Sequence, residues 1–194
     1  MQQFLGAISL TLATIAAADA AAETWTLDPA QSVVAFGSVK KDTIGEAHTF
    51  QRLSGTVADD GTANIDIDLT SVQTNIDIRN ERIAENVFQG ATTATMTASI
   101  DMGAMATLQV GDSTVTEING DLAFLGQDIP IYLDAFVMRT AVDQVLVTTN
   151  SMIFVTTEEA GIDAGLDTLM QLADLPSITR TFPVTFRLVF DAAE

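Results

Sequence analysis

The chain has 194 residues and carries 26 acidic side chains against 8 basic ones, a formal net charge of -18. That balance excludes nucleic-acid binding as a working assumption, because backbone phosphates must be met by clustered Lys and Arg, and it disfavours docking on anionic headgroups through a basic patch. Hydrophobic residues make up 47% of the chain, enough for the core of one domain and too many for a disordered acidic tail.

Residues 1–20 read as a secretory signal peptide. They combine an apolar run, too short for a comfortable membrane span, with the small-residue end Ala18-Asp19-Ala20. Cleavage before Ala21 would leave residues 21–194 as a single domain, exported and not membrane-spanning. From Trp25 onward the texture is alternation. Trp25 to Lys40, Gly45 to Val57, Ala63 to Leu69, Thr92 to Asp101, Ala104 to Val110, Thr114 to Phe124, Asp128 to Met138, Val142 to Val155 and Thr181 to Asp191 are the expected strands. The clearest is Ala63 to Leu69, with Ile65, Ile67 and Leu69 on one face and Asn64, Asp66 and Asp68 on the other. Asp59-Asp60-Gly61 before it is hairpin punctuation, since glycine tolerates the positive φ such turns need.

Two stretches break the β rhythm. Ile76 to Gly90 sets Ile83 and Val87 four apart among charged residues, and Gly161 to Leu175 sets Ile162, Leu166, Leu169, Met170 and Ala173 on one helical face. The second helix should stop at Leu175-Pro176, because the residue before proline is pushed out of the helical region. Short turns between strands, with no alternating helices, predict an all-β fold. The expected architecture is an antiparallel closed barrel or sandwich of about eight strands with one or two short helices.

The residue inventory limits the chemistry. Cysteine is absent and His48 is the one histidine, so thiolate sites, Cys nucleophiles and multi-His metal sites are excluded within one chain. A serine triad lacks its G-x-S-x-G elbow. Asp59, Asp60, Asp66 and Asp68 do not form a D-x-[DN]-x-[DN]-G calcium loop. No metal, no catalytic residue and no enzyme activity are expected, and His48 is read as a strand or turn residue.

Four local patterns together resemble the YceI-like family of periplasmic, lipocalin-like proteins. They are Trp25-Thr-Leu-Asp-Pro-Ala-Gln-Ser-Val-Val-Ala-Phe36; Phe50-Gln-Arg-Leu-Ser-Gly55; Ile65 to Ile83 with its Arg79, followed by Phe88; and Gly120-Asp-Leu-Ala-Phe-Leu-Gly-Gln-Asp-Ile-Pro130. The family's usual Arg-Asp-x-His-Leu reads Arg79-Asn-Glu-Arg-Ile83 here. The resemblance implies a lipocalin-like β-barrel that holds an isoprenoid or similar amphiphilic lipid, such as a quinone, for storage or transport, with no other cofactor. Phe36, Phe50, Phe88, Phe124, Tyr132, Phe136 and Phe154 are the candidate lining residues, with Phe36 and Phe88 favoured by their motif positions. Arg79 is the candidate polar contact to a headgroup, against a structural role tying its connection to the barrel. The competing function is an envelope protein–protein module with a filled barrel and an acidic surface for a basic partner. A homodimer is left open.

Overall fold

The computed structural model describes residues 24–193. The expected signal peptide lies outside them. Twelve strand segments follow one another as β1 (Trp25–Leu27), β2 (Val33–Lys40), β3 (Ile44–Phe50), β4 (Leu53–Val57), β5 (Thr62–Asp68), β6 (Val72–Gln73), β7 (Thr93–Ser99), β8 (Ser113–Phe124), β9 (Gln127–Ala141), β10 (Gln144–Thr149), β11 (Ile153–Thr156) and β12 (Thr181–Ala192). Three helices interrupt them: α1 (Asp77–Arg82), α2 (Met102–Ala106) and α3 (Asp163–Leu172).

The segments reduce to eight staves. β1 and β2 lie end to end along one side of β12, as Leu27 opposes Phe190 and Val33 opposes Arg187. β3 and β4 face them in the same broken fashion, and β5 with β6 comes next. β7, β8 and β9 continue the meander, β10 and β11 share the other side of β12, and β12 returns to β1. The result is a closed eight-stave antiparallel barrel, in which, among the described residues, Ser113–Ile118 of β8 has no partner on the β7 side and Gln127–Leu133 of β9 has none on the β10 side.

Local chemistry explains the corners. The Asp59-Asp60-Gly61 turn joins β4 to β5 with Gly61 at φ +86, and a Cβ there would stand 2.0 Å from the Ile100 carbonyl oxygen. Leu125 and Gly126, both at positive φ, link the long β8–β9 hairpin in the geometry of a type I′ turn.

Several expectations are corrected. Trp25 to Lys40, Gly45 to Val57 and Val142 to Val155 are each two segments rather than one strand. Ala104 to Val110 is not a strand: the Asp101 carboxylate accepts from the Ala104 N–H and caps α2 instead. Among the described residues the α-helices therefore number three. The one over Ile76 to Gly90 changes character after Arg82 into a wide turn, Ile83–Val87, in which the Phe88 N–H reaches back five residues to the Ile83 carbonyl at 2.9 Å. The last helix ends at Leu172, ahead of Pro176. None of the described helices is long and apolar enough to cross a membrane.

Candidate functional site

Alternation decides which side chains see the barrel interior. On β9, Ile129, Ile131, Leu133, Ala135 and Val137 are buried, while Asp128, Pro130, Tyr132 and Asp134 stand exposed between them. On β2 and β3 the inward set is Val34, Phe36, Ser38 and Lys40, opposed by Glu46, His48 and Phe50. α1, the wide turn after it and α3 cover this end of the barrel. α3 turns Leu166 and Leu169 inward, with Ile162 before it and Ala173 after it, as the spacing predicts; Met170, expected on the same face, is not in the lining and its sulfur meets Arg180.

These elements line a cavity of about 450 Å³. Its walls are overwhelmingly apolar. A file of aromatic rings runs along one side, with centroid separations of 6.4 Å for Phe182–Phe36, 5.3 Å for Phe36–Phe50, 5.9 Å for Phe50–Phe88 and 6.0 Å for Phe88–Phe124. A second apolar cavity, of about 140 Å³, lies towards α2 and the Trp25 end.

Polar groups on the large cavity gather at the end beneath α1 and the β2–β3 turn. Arg79 Nη1 donates to both Glu46 carboxylate oxygens at 3.0 and 2.9 Å, and its Nη2 donates to the Thr74 carbonyl at 2.5 Å. Lys40 Nζ reaches Glu46 Oε1 at 3.0 Å. Burial works against ionisation of Glu46, but hydrogen bonds from Arg79 and Lys40 outweigh it and hold the carboxyl below its ordinary value. His48 is buried, and its Nε2 lies 3.0 Å from Ser38 Oγ. Burial first, and the Arg79 cation second, hold the imidazole below its ordinary pKa, so the ring is neutral at pH 7. His48 Nδ1 and Arg79 Nε are buried without a hydrogen-bond partner. Ser38 and His48 pair as a nucleophile and a base would, yet the second ring nitrogen meets no carboxylate that could orient it.

Five of the sequence candidates meet at this cavity: Phe36, Phe50, Arg79, Phe88 and Phe124. Three do not. Tyr132 and Phe154 are 73% and 63% exposed, and Phe136 shares the outward parity of Tyr132 on β9. Strand alternation sends them outside, because their neighbours Ile131, Leu133, Ile153 and Val155 take the inward positions. The sequence reading missed Phe182, His48 and the Lys40–Glu46 pair. The inward parity of Phe36 on β2, had it been extended to Ser38 and Lys40, carried the signal for the last.

A closed antiparallel barrel with an apolar interior compartment and a polar cluster at one end is a lipocalin-like fold. Residues 25–190 match the YceI-like domain, and the chain belongs to that family. A polyisoprenoid binding domain from Saccharophagus degradans, implicated in plant cell wall breakdown, is 34% identical and superposes with a TM-score of 0.85 over 87% of this chain and 98% of that one. BcnA of Burkholderia cenocepacia shares the fold at 13% identity, with a TM-score of 0.61 over 84% of this chain and 98% of that one. No curated protein sequence matches the chain.

Proposed function

We propose that the protein is an exported carrier or store for a long-chain isoprenoid or similar amphiphilic lipid. The chain occupies the large cavity and the polar head rests near Arg79, His48 and Ser38. One observation carries this reading: a cavity of about 450 Å³ whose polar groups are confined to one end. An engineered apolar void of about 150 Å³ already takes up benzene, and native interiors keep few voids larger than a water. A compartment of this size and polarity suits a ligand with one wet end. The 34%-identical relative described as polyisoprenoid binding supports the same class, and the signal-peptide-like sequence of residues 1–20 supports export. The competing reading, an interaction module with a filled barrel, needs an interior that the cavity argues against. We read the protein as a binder rather than an enzyme, since the Ser38–His48 pair lacks an orienting acid.

The test is to purify the full-length product from its own cell envelope, record native mass spectra and identify the species released by solvent extraction. A prenyl or comparable long apolar chain should be recovered in near-stoichiometric amount. A folded barrel that carries none, and takes up none when offered farnesol or a long-chain quinone, would overturn the reading.

A further inference from the structure

The large and small cavities lie in the same barrel, and two residues line both: Met96 on β7 and Phe186 on β12. In the ring order β1, β4, β5, β7, β8, β9, β10, β12, the strands β7 and β12 are four positions apart among eight. Both side chains point inward, so they approach the lumen from opposite walls. We propose that Met96 and Phe186 form a partition that sets the length of chain the barrel accepts. The large cavity takes the chain, and the small cavity lies beyond the stop.

The small cavity is built like an extension of the first. Ile65, Ile118, Val137, Val147 and Leu188 wall it, and Met102 and Met105 of α2 cover it. The one charged residue in that lining, Arg139, directs its guanidinium to the Ala141 and Val142 carbonyls and the Trp25 ring, and the rest would accept an apolar tail; what separates the two spaces is side-chain bulk at one level. Methionine is unbranched and leaves a void when shortened, whereas backbone on both walls is tied by ladder hydrogen bonds to its neighbours. Shortening Met96 therefore joins the two cavities without moving a strand. Each methylene transferred from water to an apolar wall raises affinity about four-fold, so a chain able to pass the partition should gain ten-fold or more over one that stops at it.

This inference rests on the carrier reading, and the experiment separates the two. Geraniol, farnesol, geranylgeraniol and longer prenyl alcohols are titrated as competitors of an apolar fluorophore against the wild-type protein, Met96→Ala, and Met96→Ala combined with Thr116→Phe, which fills the small cavity. The affinity of the wild type should rise with length up to a breakpoint. Met96→Ala should move that breakpoint out by at least one isoprene unit, and adding Thr116→Phe should move it back. Phe186→Leu gives the same test from the opposite wall should Met96→Ala lose geraniol binding. An unchanged breakpoint in a variant that still binds geraniol would overturn the partition while leaving the carrier reading standing. So would a shortened breakpoint in Thr116→Phe alone, since the chain would then already reach the small cavity. Absence of any binding by the wild type would overturn both.

Discussion

Arg79 joins three parts of the molecule: its own helix α1, the Thr74 carbonyl in the connection before it, and Glu46 on β3. Its side chain is 23% exposed and that of Glu46 is 22% exposed, so removing the guanidinium leaves a half-buried carboxylate with Lys40 alone. Arg79→Ala should lower the stability of the ligand-free protein by about 2 kcal/mol, read by urea denaturation. Unchanged stability together with lost lipid uptake would assign Arg79 to the headgroup instead. Acid probes the same cluster in two windows. His48 is held below its ordinary value of 6.5 by burial and the Arg79 cation, so the stability of the neutral ring is full above 6.5 and is lost as pH falls through its lower folded-state value. Glu46 is held below its ordinary value of 4.5, so its contribution is present above 4.5 and is lost at more acid pH. His48→Gln, whose amide can still meet Ser38, should remove the decline in unfolding free energy that sets in as pH falls through 6.5; a wild type that stays flat as pH falls below 6.5 would dismiss the effect. The residues of this cluster were only partly legible. Arg79 was visible from its motif, whereas His48 and Glu46 acquire meaning only when β2 and β3 pair. Phe136 and Tyr132 were misassigned because alternation yields two faces without naming the inner one. Asp128 and Asp134 on their face of β9 held the answer, since a carboxylate does not face an apolar cavity unpaired.

Elements show the same division between what is local and what is tertiary. The strand character of β5, β8, β9 and β12 follows from period-two patterning, and α3 from its 3.6-residue stripe. The break between β1 and β2 is local too, a turn in which the Asp28 carboxylate accepts from the Ala30 N–H at 2.8 Å, whereas that between β3 and β4 is held by a residue distant in sequence. Ser71 Oγ accepts from the Gln51 and Arg52 N–H groups where β3 gives way to β4. α2 escapes the sequence pattern for a local reason: Ala104 to Val110 is apolar enough to pass for a strand unless Asp101 is recognised as the cap of a helix that starts at Met102. The cover over the large cavity depends on one close approach. A Cβ on Gly165 of α3 would stand 2.3 Å from the Asn86 carbonyl oxygen and 2.8 Å from the Val87 Cα, both backbone atoms of the turn after α1. Gly165→Val should therefore lift α3 from that turn and destabilise the fold by about 1–3 kcal/mol. It should also speed the release of a bound fluorescent lipid in stopped flow. Release at the wild-type rate, with α3 intact by amide exchange, would show that the ligand leaves by another route.

At the scale of the whole molecule the acidity becomes a property of the outer surface. Among the described residues, ion pairs engage Glu46, Asp68, Asp163 and Asp167; most other carboxylates stand on outward strand positions and in turns. Glu117 and Asp134 oppose each other directly across β8 and β9, both exposed. Such a like-charge pair destabilises a ladder by a few tenths of a kcal/mol, and the self-repulsion of an 18-fold net charge adds to it. Sodium chloride screens these terms, since the Debye length shrinks to about 10 Å at 0.1 M and about 3 Å at 1 M. The melting temperature should thus climb with sodium chloride, and Glu117→Lys should stabilise the protein by about 0.5–1 kcal/mol at low salt, a gain that fades near 1 M. Chloride is the appropriate anion for the measurement, because sulfate strengthens apolar burial in any protein and would raise stability whatever the surface charge. If the melting temperature is flat in sodium chloride, the carboxylates are far enough apart to be independent and the surface is merely solvated. If it climbs and Glu117→Lys removes part of the slope, the barrel wall is held back by its own charge, and salt sets how stable it is.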